Sequence, residues 1–301
     1  MSALYIGNEQ KQMELTHNTT LAKFSSLVVE VNAAKEAGFK SLELSAKKVA
    51  DYLDSGFTES DLKELLKGLT ISGMGYLIDI ERQDVERDVL IEDARKIFSL
   101  AQKSGAKGVQ VLSGPLDVNA VIHSAEQKEF KGYSGLLGAE IDEIIAKTAE
   151  NLAILADVAQ EYGLLIYLEA LAWTPLKRLE HQVAAIQLAN KNNIKLIIDF
   201  WHLNTCGNTP DDVKKIDKDL IFGVHVCDGL ENYSDIPEEI KLRNVDLGQG
   251  IIELDQWVEA VKATGYDGWW ASESFYKKEH QDSPLENARK HYQYLENLVL
   301  N

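Results

Sequence analysis

Two patterns of apolar residues alternate along the chain. Short apolar runs, typical of buried strands in a parallel sheet, are followed by longer segments whose apolar residues recur at helical spacing. Residues 195–199 form the clearest short run, and residues 141–163 form the clearest helical segment. Some helical segments end at a glycine, as at Gly38 and Gly105, which is a frequent stop signal. The alternation predicts a parallel sheet wrapped by helices.

The pattern places these elements throughout the chain. The predicted strands are residues 14–17, 41–44, 69–77, 108–112, 164–169, 195–199, 221–225 and 268–273. The predicted helices are residues 21–38, 61–68, 84–105, 141–163, 176–190, 210–219, 254–265 and 284–298. Two long connections, 113–140 and 228–250, follow strand ends and are predicted to frame a substrate mouth. Without any linker-like stretch, the order favours one (β/α)8 TIM barrel as a single domain over residues 1–301.

Several predicted strands end in a side chain that can bind a metal ion. These residues are Glu169, Asp199, His225 and Glu273. Any one of them alone would be read as a polar strand end that caps a helix or contacts water. In a barrel, however, all four strand ends converge at one mouth. Carboxylates with one imidazole favour one divalent ion, Mn²⁺, Mg²⁺ or Co²⁺, and Zn²⁺ is also compatible.

Other residues near these strand ends are candidates for substrate binding. His202 follows Asp199 by three positions and is a ligand, a substrate contact or a group that orients a ligand, of which we favour substrate contact. Trp173 and Trp201 come just after strand ends, so they are predicted to line the pocket. Glu43, near the end of the second strand, is a further candidate.

Composition limits the partners and the location that we expect. The net charge of −17 argues against nucleic acid and anionic membranes as partners. No apolar stretch reaches the ~18 residues of a membrane span, and the polar segment 1–12 lacks a signal-peptide pattern. Two cysteines, Cys206 and Cys227, argue against a disulfide framework, so a cytoplasmic protein is expected.

Five segments around the candidate site resemble the xylose-isomerase-like TIM-barrel superfamily of sugar isomerases, epimerases and inosose-type dehydratases. They are LEALAW at 168–173, DFWH at 199–202, HVCD at 225–228, LGQG at 247–250, and GYDG at 265–268 leading to Glu273. The resemblance implies a metal site formed by Glu169, Asp199, His225 and Glu273. It also implies that the two glutamates are the acid/base pair and that His202 binds substrate.

Two positions depart from the pattern of ketose 3-epimerases in this superfamily. Those enzymes carry a second glutamate six residues after the strand-five glutamate, and an arginine six residues after the strand-seven histidine. Pro175 and Glu231 stand at these positions, which disfavours a simple free-ketose 3-epimerase. Arg243 either replaces the missing arginine or is a solvated loop residue. The superfamily's AP endonucleases have three-metal sites that need many more histidines than the 7 present.

These observations predict a metal-dependent isomerase or epimerase that acts on a keto-sugar or keto-cyclitol. The expected chemistry is proton transfer beside a carbonyl through an enediolate. The alternatives are a dehydratase of the inosose or dehydroshikimate type, and a carbohydrate-binding barrel without turnover. No glycine-rich phosphate cradle is present, which favours an unphosphorylated substrate. The sequence leaves the choice between a monomer and a homo-oligomer open.

Overall fold

Eight parallel strands close into a barrel in the computed structural model, which describes residues 13–301. They are β1 (Glu14–Asn18), β2 (Ser41–Ser45), β3 (Thr70–Leu77), β4 (Gly108–Leu112), β5 (Leu165–Glu169), β6 (Ile194–Asp199), β7 (Ile221–Val226) and β8 (Trp269–Ser272). Each strand pairs with the next in chain order, and β8 pairs with β1. The predicted (β/α)8 TIM barrel is thereby confirmed. Segment 1–12 lies outside the described residues.

Helices surround the barrel and connect its strands. They are α1 (Leu27–Ala37), α2 (Ala46–Asp54), α3 (Glu59–Leu66), α4 (Val85–Ser104), α5 (Val118–Ala125), α6 (Ile141–Glu161), α7 (Leu179–Ala189), α8 (Phe200–Thr205), α9 (Pro210–Val213), α10 (Glu239–Leu242), α11 (Leu254–Ala263) and α12 (Pro284–Leu295). Short 3₁₀ turns cover Thr19–Ala22, Lys218–Leu220 and Glu279–Gln281, and a π-helical turn covers Glu296–Leu300. Gly38 ends α1 with a φ of 108°, a left-handed conformation that glycine adopts without a side-chain clash.

The short helices are where the structure departs from the sequence prediction. α2 was not predicted, the predicted helix 21–38 is divided between a 3₁₀ turn and α1, and each long connection contains a helix, α5 or α10. His202 lies in α8 rather than in a loop. A helix of one or two turns shows too few apolar repeats to be recognised, and tertiary packing decides whether it forms.

Buried side chains pack on both faces of the strands, inside the barrel and between the strands and the helices. Inside the barrel, Tyr167, Ile197, Trp269 and Ala271 pack together. The outward faces of the strands pack against the helices, where Trp270 is fully buried. In the part of the chain that the structure describes, no helix has both the length and the hydrophobicity needed to cross a membrane.

Candidate functional site

Four potential metal ligands converge at the carboxyl ends of adjacent strands. Glu169 ends β5, Asp199 ends β6, His225 lies one residue before the end of β7, and Glu273 directly follows β8. Each offers one ligand atom, and these atoms all lie within 4.8 Å of one another. Asp199 and His225 are direct neighbours in the β6–β7 register. The structure thus brings together the whole ligand set that the sequence predicted.

The two carboxylate oxygens of Asp199 have different surroundings. Its Oδ1 accepts the backbone N–H of His202 at 2.7 Å, which caps α8, and the thiol of Cys227 at 3.2 Å. Its Oδ2 is buried without a hydrogen-bond partner. Burial raises the pKa of Asp199 to about 7, and the nearby carboxylates of Glu169 and Glu273 act in the same direction. A buried oxygen without a partner is costly, so its position favours a bound cation.

Only one of the two ring nitrogens of His225 has a hydrogen-bond partner. Its Nε2 lies 2.8 Å from Glu43 Oε2, whereas its buried Nδ1 has no hydrogen-bond partner. Nδ1 is 3.6 Å from Glu169 Oε1 and 3.8 Å from Asp199 Oδ2. Burial lowers the pKa of His225, but Glu43 and Glu169 outweigh burial and raise it well above its ordinary value. The geometry makes Nδ1 the atom available to a metal.

Glu43 is held inside the site by three donors. Besides His225, Asn18 Nδ2 donates to its Oε2 and the Tyr167 hydroxyl donates to its Oε1, both at 2.7 Å. The side chain borders the mouth cavity, but both of its oxygens are already engaged. The predicted contact with substrate therefore fits its placement less well than a role in orienting His225, as carboxylates do behind metal-binding histidines.

Gln110 supports Glu169 in a way that the sequence did not indicate. Its side-chain amide in β4 donates to Glu169 Oε2. This bond leaves Glu169 Oε1 to face His225 and His202. A glutamine in the middle of an apolar strand is a weak indication of such a role, because a polar residue that faces the inside of a barrel needs a hydrogen-bond partner.

His202 lies at the edge of the ligand set. The backbone N–H of Ala172 donates to its Nδ1 at 3.1 Å, so we assign the ring hydrogen to Nε2. Nε2 is 3.7 Å from Glu169 Oε1 and 3.6 Å from Glu239 Oε1. Burial lowers the pKa of His202 well below its ordinary value, and Arg243 acts in the same direction. The ring is therefore a neutral donor directed into the site.

Glu239, the first residue of α10, and Arg243, which directly follows this helix, both enter the site. Arg243 Nη2 donates to Glu273 Oε2 at 2.7 Å, and its Nη1 donates to Glu239 Oε1 at 2.9 Å. Arg243 is only 2% exposed, and its guanidinium lies 4.3 Å from the centre of the Phe275 ring. It is therefore a site residue and not a solvated loop arginine. The sequence prediction did not include Glu239 as a site residue. The available signal was its position four residues before Arg243, a spacing that brings two helical side chains together.

The two predicted pocket tryptophans lie behind the site. Trp201 is 1% exposed and lies under Arg243, whose guanidinium is 5.3 Å from its ring centre. Trp173 is 7% exposed and donates from Nε1 to the Pro115 carbonyl. Both rings contact His202. Their placement supports His202 and Arg243 and does not fit the predicted role as pocket walls.

A cavity of about 240 Å³ opens beside Glu273 at the mouth of the barrel. Polar lining groups include Asn18, Thr20 and Gln110, and aromatic lining groups include Tyr76 and Phe275. The segment 228–250 reaches the ligand set through Glu239 and Arg243, although it contributes no residue to the described lining of this cavity. Among the described residues that line the cavity, none comes from 113–140, so the prediction that this segment frames the mouth is not supported.

The segment 113–140 is instead anchored beside the end of β3. Asp79 Oδ1 accepts the Leu116 N–H at 2.7 Å. Glu81 accepts the Gly114 N–H at 2.9 Å and the Tyr133 hydroxyl at 3.1 Å. Burial raises the pKa of Glu81 to about 7. These bonds fasten the segment to the barrel away from the cavity.

The fold and the strand-end site define a class of barrel proteins. The family model described as xylose isomerase-like TIM barrel matches residues 31–298, and the chain belongs to this family. The predicted resemblance is thereby confirmed.

Individual relatives and solved structures are similar to most of this chain. An inosose isomerase of Bacillus licheniformis is 25% identical over 288 residues, covering 92% of this chain and 94% of that protein. A 3-dehydroshikimate dehydratase of Pseudomonas aeruginosa is 25% identical over 260 residues, covering 85% of this chain but 37% of that protein. The IolI protein, solved with a bound zinc atom, superposes with a TM-score of 0.82 at 19% identity, covering 95% and 98% of the two chains.

Proposed function

We propose that the chain is a divalent-metal-dependent isomerase or epimerase of keto-sugars or keto-cyclitols. The observation that carries the proposal is the convergence of four metal-binding side chains with two buried ligand atoms, Asp199 Oδ2 and His225 Nδ1, left without partners. The similarity to an inosose isomerase over nearly the whole chain supports a cyclitol or sugar substrate.

The donor set fits one divalent cation. Three carboxylates and one imidazole favour Mn²⁺, Mg²⁺ or Co²⁺ and are compatible with Zn²⁺. IolI, a structural neighbour, was solved with a bound zinc atom, which supports a metal in this chain as well. Held by these residues, the cation would supply positive charge to stabilise the oxyanion that develops on a substrate carbonyl oxygen when the neighbouring carbon loses its proton.

Glu169 and Glu273 are the proposed acid/base pair. They approach the mouth from different directions, because β6 and β7 separate β5 from β8. One carboxylate takes a proton from the carbon beside the carbonyl. The other returns a proton to the neighbouring carbon in an isomerisation, or to the opposite face of the same carbon in an epimerisation. Gln110 and Arg243 hold the two carboxylates in place.

The cavity favours a small polyhydroxy ring. Its volume of about 240 Å³ is below the ~300–1,000 Å³ of sites for drug-sized ligands. Asn18 and Gln110 offer amide groups to hydroxyls, and Tyr76 and Phe275 offer aromatic surface to ring C–H groups. His202 Nε2 would donate a hydrogen bond to a substrate oxygen.

A dehydratase is the second candidate, favoured by the similarity to 3-dehydroshikimate dehydratase. It would share the first proton abstraction and then expel a hydroxyl group. The two reactions leave products of different mass.

Purified, metal-loaded protein incubated with inosose or 3-dehydroshikimate in deuterated water tests the proposal. An isomerase or epimerase returns product of the substrate's composition that carries solvent deuterium on carbon. A product lighter by one water identifies the dehydratase. Metal-loaded protein that converts neither compound and exchanges no deuterium would favour the carbohydrate-binding barrel and overturn the proposal. Glu169→Gln and Glu273→Gln, with metal content measured, should lower turnover by about 100-fold or more.

A further inference from the structure

Glu239 is a mostly buried carboxylate without a role in the proposed reaction as described above. Its side chain is 19% exposed and accepts from Arg243 Nη1 at 2.9 Å. The same oxygen lies 3.6 Å from His202 Nε2. Burial raises the pKa of Glu239 to about 7, although the neighbouring Arg243 opposes this shift.

His202 Nε2 and Glu239 Oε1 lie 3.6 Å apart, so a single oxygen atom placed beside this pair, and not between its members, can contact both. Because Ala172 occupies His202 Nδ1, the ring directs its hydrogen from Nε2 toward Glu239 and Glu169. The distances of 3.6 and 3.7 Å from Nε2 to these carboxylates are too long for direct hydrogen bonds. A substrate oxygen placed there would lie about 2.8 Å from both a donor and an acceptor.

Isomerisation of a hydroxyketone requires two kinds of proton transfer. One proton leaves the carbon beside the carbonyl and another reaches the former carbonyl carbon. The former carbonyl oxygen must also gain a proton, and the neighbouring hydroxyl must lose one. Glu169 and Glu273 act on the carbons in the proposed function, so the oxygens need a further acid/base group.

We propose that Glu239 is this catalytic residue and that it exchanges a proton with the substrate oxygens while His202 donates a hydrogen bond to one of them. The inference rests on the proposed function and extends it. The protonated Glu239 gives its proton to the oxygen that carries the negative charge of the enediolate. It then takes the proton of the neighbouring hydroxyl as that oxygen forms the new carbonyl. The carboxyl group ends as it began, and the C–H and C=O electron pairs only move within the substrate.

The test measures proton transfer at the substrate carbon atoms separately from proton transfer at the substrate oxygen atoms. Full-length, metal-loaded protein is incubated with inosose in deuterated water. Deuterium in recovered substrate reports proton exchange at carbon, and product with a displaced carbonyl reports the complete isomerisation. Glu239→Gln should keep the exchange rate within a few-fold of wild type and lower product formation by about 100-fold or more. Glu239→Asp should recover part of the loss.

The adjacent Glu238 provides a matched control. Its carboxylate is 46% exposed and pairs with Lys241 on the surface, so Glu238→Gln should match wild type in both rates. Metal content and the calorimetric affinity for inosose should stay unchanged in Glu239→Gln, which distinguishes a catalytic role from a structural one.

Several results would overturn the inference. They are unchanged product formation in Glu239→Gln, equal loss of exchange and product, loss of metal or inosose binding, and a wild-type product whose carbonyl has not moved. If the wild type itself neither exchanges deuterium nor forms product, the proposed function fails, and the inference fails with it. The wild-type reaction thus distinguishes the two failures.

Discussion

At the scale of single residues, Glu43 determines which ring nitrogen of His225 faces the other proposed ligands. The carboxylate binds Nε2 and thereby leaves Nδ1 free to face the other ligands. Asn18 and Tyr167 hold Glu43 in turn, which fixes the carboxylate that orients the imidazole. A carboxylate in this position also raises the basicity of the ligand nitrogen. The metal affinity of the site should therefore depend on a residue that does not touch the metal.

We predict that Glu43→Gln weakens metal binding by about 10- to 100-fold without abolishing it. The amide can still accept a hydrogen bond from His225 but carries no charge. Asp199→Ala, which removes a ligand atom, should reduce bound metal to background. Glu36→Gln is the control, because that carboxylate is 60% exposed and pairs with Arg289 on the surface. Competition with a fluorescent chelator measures the affinities; equal affinity of Glu43→Gln and wild type would contradict the prediction.

The convergence of the four proposed ligands was predictable from the sequence, and the residues that support them were not. Asp199 and Glu169 each end an apolar run, so the strand pattern alone locates them at the mouth. Gln110 and Glu239 become site residues only through partners distant in the sequence. No local pattern encodes such contacts, because the closed barrel creates them.

At the scale of elements, two short helices bring the site together. Asp199 is the N-cap residue of α8, so the same carboxylate caps the helix with one oxygen and leaves the other for the proposed metal. α10 has four residues and carries Glu239, with Arg243 directly after it. Neither helix is long enough to be stable alone, so their contacts in the site hold them in place. This is also why the sequence pattern indicated loops at both positions.

We predict that substrate binding slows amide hydrogen exchange in segment 228–250 and changes it far less in segment 113–140. Arg243 and Glu239 tie the first segment to the site, and a bound substrate would stabilise those contacts. The second segment is fastened to Asp79 and Glu81, away from the cavity. Mass-spectrometric exchange with and without saturating inosose compares the two segments within one sample. Equal protection in both, or none in 228–250, would contradict this assignment.

At the scale of the whole molecule, closure of the barrel places several negative charges in one buried site. Glu169 and Asp199 are both almost fully buried, and burial raises the pKa of each. Buried carboxylates that share a site destabilise a fold unless a cation compensates them. Arg243 supplies one positive charge, and a divalent ion at the unpaired ligand atoms would supply two more. Metal binding and global stability should therefore be coupled.

We predict one cooperative thermal unfolding transition that moves upward when metal is bound. A ligand that binds only the native state at 100 times its Kd contributes about 2.7 kcal/mol. For a chain of 301 residues this corresponds to a rise in Tm of about 4 °C. Differential scanning calorimetry with EDTA, Mn²⁺ or Zn²⁺ measures the shift, and Asp199→Ala should lose it. Two separate transitions would contradict a single domain, and an equal shift in Asp199→Ala would place the stabilising ion elsewhere.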